Sequence, residues 1–163
     1  MGKRHALINN NFALAAVAIM LGVAVVWSVS RPLSFAKKME EREREVKQRL
    51  AEIRAAEENY RRAAGCYTAN LDTLVTLKLL KEGRQMIPGG NGRRFQTVVG
   101  MVKMQSGRIV PIMECGARYD EYLAGLDVHE IAAQVERADA EARYPGLKIG
   151  DLTQPNDNKG NWE

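Results

Sequence analysis

The alternation of hydrophobic and polar positions divides this chain into an apolar head, a charged middle and a mixed carboxyl-terminal half. Residues 12–30 are apolar or small throughout and carry no charge, and they lie between Lys3-Arg4-His5 and Arg31-Pro32. At about 1.5 Å per helical residue, such a run matches the roughly 30 Å hydrocarbon core of a bilayer and predicts a transmembrane helix. Residues 34–64 then contain no Gly or Pro and are dominated by strong helix formers. Met39, Val46, Ile53 and Tyr60 recur every seven residues, and Leu50 joins them, giving one narrow apolar stripe on a charged helix. Ser34 is placed to cap its start, Pro32 lies ahead of that cap, and Gly65 follows its end. The second half of the stripe is suited to burial against its own domain or a neighbouring helix. Residues 40–45, charged on nearly all sides, read as a solvated stalk.

Further on, Asn70 can cap a short helix that places Leu71, Leu74, Val75 and Leu79 on one face and stops at Gly83. Pro88-Gly-Gly-Asn-Gly92 breaks the chain and reads as a loop; it lacks the spacing of a phosphate cradle. Residues 95–104 and 108–114 are β-rich and joined by Gln105-Ser-Gly107, which predicts an antiparallel hairpin. Pro111 cannot donate to a ladder, so its strand is expected at an edge or bulged there. Tyr119, Tyr122, Leu123 and Leu126 suggest a helical turn. Asp127-Val-His-Glu130 then starts a helix with Ile131, Val135 and Ala138 on one face. The tail from Gly150 is polar and turn-rich, and Trp162 is its one aromatic group, a candidate anchor for a docked end.

These patterns give four segments: a tail at 1–11, a transmembrane helix at 12–30, an extended helix or stalk at 31–64, and a small domain at 65–163 with an irregular tail. The fold class is α+β, with an antiparallel sheet and short helices following the long helix. Lys3 and Arg4, with no nearby acid, predict a cytoplasmic amino terminus and an extracytoplasmic domain. Ser28-Val29-Ser30 has the small-x-small pattern of a signal-peptidase site. The apolar run nevertheless exceeds an ordinary signal core, and Trp27 suits an interfacial anchor, so a retained helix is expected. Ala15, Ala18 and Gly22 are small residues that allow close helix packing within the bilayer. The span holds no ionisable residue, which argues against proton conduction by this segment.

Charge and composition exclude more than they assign. The 24 basic residues are interleaved with 20 acidic ones for a formal +4, with no basic run of the kind that nucleic acid selects. Cys66 and Cys115 are far apart in sequence. An oxidising compartment permits a disulfide between them, and the alternative is two buried thiols. His5 and His129 have no ligand spacing around them, so zinc and haem are not expected. Glu40-Glu41 and Glu57-Glu58 read as solubilising surface charge. Asp151 and Asn156-Asp157-Asn158 supply calcium-type oxygens, but without a bidentate acid at the proper spacing. No catalytic constellation and no cofactor site emerges.

The run from Ile53-Arg-Ala-Ala-Glu-Glu-Asn-Tyr60 through Gly65-Cys-Tyr-Thr-Ala-Asn-Leu-Asp-Thr-Leu74 resembles the type IV pilin and pseudopilin pattern: a helix ending near an aromatic residue, Gly-x-Tyr, then a Leu-x-x-Leu helix before an antiparallel sheet. Gly160-Asn-Trp-Glu163 is similar to major pseudopilin ends. Asn9-Asn-Asn11 precedes Phe12 and no acid occurs until Glu40, so the pilin cleavage glycine and the early glutamate of its helix are missing.

Across nearly the whole chain, Pro32-Leu-Ser-Phe35, Val46-Lys-Gln-Arg-Leu-Ala-Glu-Ile-Arg-Ala-Ala56, Tyr119-Asp-Glu-Tyr-Leu-Ala-Gly-Leu126 and Tyr144-Pro-Gly-Leu-Lys-Ile-Gly-Asp151 resemble a small membrane-anchored family of Bacteroidota. Members of that family are commonly encoded beside ExbB, ExbD and TonB-type proteins. The resemblance implies a non-enzymatic inner-membrane accessory subunit of a proton-motive-force-driven energy-transduction complex, with a periplasmic pilin-like domain and ExbB/ExbD-type subunits and the bilayer as partners. It supplies no catalytic residue. The alternatives are a pseudopilin-like structural subunit of a secretion or pilus apparatus, or a membrane-tethered periplasmic scaffold or binding domain.

Overall fold

The computed structural model describes residues 10–163, with side chains at 12–25 and 33–163. Helix α1 (Asn10–Ala64) is followed by α2 (Leu71–Thr76), β1 (Gln96–Lys103), β2 (Ile109–Arg118), α3 (Tyr119–Tyr122), α4 (Val128–Ala140) and β3 (Gly146–Gly150). The class is α+β, with one three-stranded antiparallel sheet in the order β1-β2-β3. The chain divides into two compact units, Met1–Lys38 and Met39–Glu163.

In the first unit, the helix runs through position 32 without a break, so Ser34 lies inside α1 and does not cap it. The helix formers on both sides outweigh the one ladder bond that a proline N cannot make. Every side chain from 12 to 25 is exposed, Phe12 at 79 % and Met20 at 70 % among them. Ala15 and Ala18 are thus uncovered, and a Cβ on Gly22 would meet nothing within 4 Å. Among the described residues no helix is long and apolar enough to cross a membrane. Residues 12–25 amount to only about 21 Å at 1.5 Å per residue. The rest of the predicted span, Trp27 included, lies outside the residues whose side chains are described.

The second unit is built on the apolar stripe of α1. Val46, Leu50 and Ile53 are fully buried, and they share the core with Leu74, Met113, Leu123 and Ile149. Met39 and Tyr60, at the two ends of the stripe, are only half-buried. The stretch 40–45 is less solvated than its composition suggests. Arg42 donates to the carbonyls of Tyr122 and Ala124, each at 2.8 Å, and Glu43 accepts from the Tyr122 hydroxyl at 3.3 Å. Arg42 docks here because carbonyls at the end of a helical turn need donors, and Glu43 because the Tyr122 hydroxyl needs an acceptor.

Asn70 caps α2 as expected, its side chain accepting from the Asp72 N–H, but the helix ends at Thr76 rather than near Gly83. Lys78 turns to a φ of 58°, and Leu79 faces solvent. The predicted hairpin is present, and β2 runs on to Arg118. Asp127 caps α4 by accepting from the His129 and Glu130 N–H groups.

Pro111 sits in the central strand, contrary to expectation. The Met104 N–H donates to the Arg108 carbonyl at 2.8 Å, which closes the turn between the strands. By the antiparallel alternation, even-numbered residues of β2 then bond to β1 and odd-numbered ones face β3. Pairing with β3 stops at Glu114 opposite Gly150, so the proline nitrogen faces a stretch with no strand beside it. Central position and missing donor are thereby reconciled.

Strand β3 was not foreseen. Its short Leu147-Lys-Ile149 alternation is enclosed by glycines that read as breakers, and both are required by close approach. A Cβ on Gly146 would collide with the Ala117 carbonyl, and one on Gly150, at a φ of 77°, with the Met113 carbonyl. The tail completes this edge. Asn161 N–H donates to the Lys148 carbonyl at 3.0 Å, and Gly150 N–H donates to the Lys159 carbonyl at 3.0 Å.

Candidate functional site

The polar centre of the second unit forms where the end of α1, the turn after it and the tail converge. Glu57 lies one turn beyond Ile53 on the buried stripe and is itself fully buried, which corrects its reading as surface charge. One carboxylate oxygen, Oε2, accepts from the Thr68 N–H at 3.0 Å, and Oε1 has no hydrogen-bond partner among the described residues. Burial pushes this carboxyl from its ordinary 4.5 up to about 7; the Thr68 bond opposes the shift and the neighbouring Glu58 charge adds to it. The overlooked signal was the spacing 46, 50, 53, 57, which continues the stripe into an acid.

Glu58 faces the other way and is saturated. It accepts from Arg61 at 2.8 Å, from the Tyr67 hydroxyl at 2.8 Å and from the Asn158 amide at 2.5 Å. Partial burial works to raise its carboxyl, but the donors from Arg61, Tyr67 and Asn158, together with the Arg61 charge, hold it below the usual range. Asn158, buried on the tail, also donates to the Tyr67 oxygen at 2.8 Å. Arg54 reaches Glu163 at 2.8 Å. The tail is therefore docked, as expected, but mainly through Asn158 and Asn161. Trp162 is half-buried and lies over Gly160, where an added Cβ would approach its ring to 2.6 Å.

Beside this network is a cavity of about 310 Å³, lined by Tyr67, Arg108, Val110, Ile112, Asp151 and Asn156 among others. It occupies the gap that β3 leaves along β2. Of its acids, Glu58 is held by the donors named above, and Asp151 accepts from the Thr153 N–H at 2.7 Å and hydroxyl at 2.6 Å, bonds that hold its carboxyl low. Among the described residues there is no group of three or more His, Cys, Asp or Glu side chains that could hold a metal ion.

Cys66 and Cys115 are both free thiols, so the disulfide that an oxidising compartment would permit is not present in the structure. Cys115 is sealed on the helix-facing side of the central strand, whereas Cys66 follows the end of α1 and is half-exposed. Burial pushes the Cys115 thiol up to about 12, the Thr97 hydroxyl opposing, which leaves an unreactive, protonated sulfur. His129 is exposed in the first turn of α4. Neither residue adjoins a nucleophile and base in hydrogen-bond reach among the interactions of the described residues.

No family model, no curated protein and no solved structure matches this chain. What the geometry defines is an α+β unit whose polar centre joins a helix end to a docked tail.

Proposed function

We propose that this protein is a non-enzymatic accessory subunit of an inner-membrane, proton-motive-force-driven complex of the ExbB/ExbD/TonB type, anchored by residues 12–30 and presenting its second unit in the periplasm. The observation that carries the reading is the apolar surface of 12–25, which is exposed on all sides of the helix among the described residues. Soluble proteins rarely leave such an extended apolar surface in water, and lipid or other transmembrane helices would cover it. Ala15, Ala18 and Gly22 would let neighbouring helices approach closely. The second unit is consistent with an anchoring or spacing role, since Glu58, Tyr67, Asn158 and Arg61 of its polar centre are engaged with one another. Co-purification of the tagged full chain with ExbB and ExbD in mild detergent tests the assignment: joint recovery is expected, and repeated recovery without them would overturn it.

A pseudopilin-like structural subunit is the second reading, favoured by a long helix whose later part packs against an antiparallel sheet. Mass spectrometry of the native amino terminus separates the two. A cleaved, methylated residue near Phe12 supports the pilin pathway, and an uncleaved start supports the accessory subunit.

A further inference from the structure

The two edges of the sheet are treated differently. The β3 edge is closed by the tail through Lys148, Gly150, Lys159 and Asn161. Among the described residues the β1 edge has no strand beside it; residues 69–72 lie by its Thr97 end, where Thr97 is buried, and the edge is open from Val98 onward. Because the even-numbered residues of β1 bond to β2, the N–H and C=O groups of Thr97, Val99, Met101 and Lys103 point outward along it. The side chains beside them are apolar and open to solvent: Val98 is 52 % exposed and Met101 60 %. From 96 to 103 there is no proline and no acid, and Lys103 at the very end is the sole charge, so the middle of the edge carries none of the usual protections.

We propose that this edge pairs with the same edge of a second copy of the chain, the two β1 strands running antiparallel about a two-fold axis through Gly100. In this register Val99 lies opposite Met101 of the second copy on one face, and Val98 lies opposite Val102 of the second copy on the other. Gly100 meets its own counterpart with no side chain between them. Val99 and Met101 then exchange ladder bonds with Met101 and Val99 of the second copy, because odd residues face odd residues. Lys103 faces Thr97 of the second copy, and the two Lys103 cations stand roughly 20 Å apart at about 3.4 Å per residue, well beyond a screening length. Apart from the short gap along β2, which Asp151 and residues 155–158 line, each copy offers one open edge among its described residues, so pairing consumes both and closes the assembly as a dimer. A foreign strand would need its own apolar alternation in phase with Val98 to Val102; a second copy has it by construction.

The register makes the test specific. Residues facing each other at Gly100 form a non-hydrogen-bonded pair, whose Cα separation of about 4.5 Å suits a disulfide. A Cβ there meets nothing nearer than Ile112 Cγ1 at 3.5 Å, so the site tolerates a side chain. In the full chain carrying Cys66→Ser, Gly100→Cys should give a covalent dimer in native membranes under mild oxidation. Val98→Cys alone should give almost none, whereas Val98→Cys with Val102→Cys should restore it. Val99→Pro, which removes an outward N–H and leaves the β1–β2 ladder intact, should reduce the Gly100→Cys dimer at least tenfold while the circular dichroism spectrum is unchanged. The proposal is overturned if Gly100→Cys stays monomeric, if it links to a different protein, if Val98→Cys links as readily, or if Val99→Pro leaves the dimer undiminished.

Discussion

The Asn158 amide donates to the Tyr67 hydroxyl oxygen at 2.8 Å, joining residues that stand 91 positions apart in the chain. Both side chains are buried, and the same amide continues to Glu58. This contact turns a polar, glycine-containing tail into part of the packed unit. Its loss leaves buried polar groups without partners, which costs more than the bond itself contributes.

Asn158→Ala should therefore lower stability by about 1–3 kcal/mol, the range for orphaned buried polar groups. Tyr67→Phe removes the same acceptor and the donor to Glu58, and should cost about as much. Because the two share one network, the double variant should lose less than the sum. Chemical denaturation of all four proteins reads the coupling directly.

Glu57 sets a pH dependence of definite sign. Its carboxyl binds a proton more tightly folded than unfolded, between 4.5 and about 7. The associated stability is fully present below pH 4.5, falls as pH rises through that window, and is lost above about 7. At about 1.4 kcal/mol per pK unit the change approaches roughly 3 kcal/mol. Glu57→Gln retains an acceptor for the Thr68 N–H, so it should flatten this limb and leave the variant more stable than the parent at pH 8. Unfolding measured at intervals from pH 4 to 8 checks both.

Gly150 is required by backbone conformation and close approach together. At a φ of 77°, with the Met113 carbonyl where a Cβ would stand, Gly150→Ala should cost at least about 2 kcal/mol. Gly107→Ala, also at positive φ but open to solvent, should cost about 1–2 kcal/mol. Thermal unfolding of the pair separates strain from collision.

Leu50 and Ile53 have no exposed surface, so truncating either to Ala should cost about 2–5 kcal/mol. Met39→Ala, at the half-buried end of the stripe, should cost clearly less. Denaturant midpoints give the ranking.

Much of this fold was legible in the sequence because short-range rules governed it. The stripe at Val46, Leu50 and Ile53, the Asn70 and Asp127 caps and the hairpin turn at 105–107 follow from spacing and local chemistry. The errors arose where a distant partner overrode the local signal. Glycines at 146 and 150 read as breakers because the carbonyls they must admit belong to β2, some thirty residues earlier. Glu57 read as surface because carboxylates seldom lie buried, and Thr68 offers its N–H only after the chain turns at Gly65. Cys66 and Cys115 looked pairable because a count of thiols carries no geometry; the fold seals one and leaves the other half-exposed.

The central claim is that residues 12–30 hold this chain in a bilayer, and alkaline carbonate extraction of native membranes tests it most directly. The account predicts that the full chain stays in the pellet and leaves it only with detergent. Recovery of the protein in the carbonate supernatant, with its amino terminus beyond Ser30, would contradict the anchor and the subunit role that rests on it.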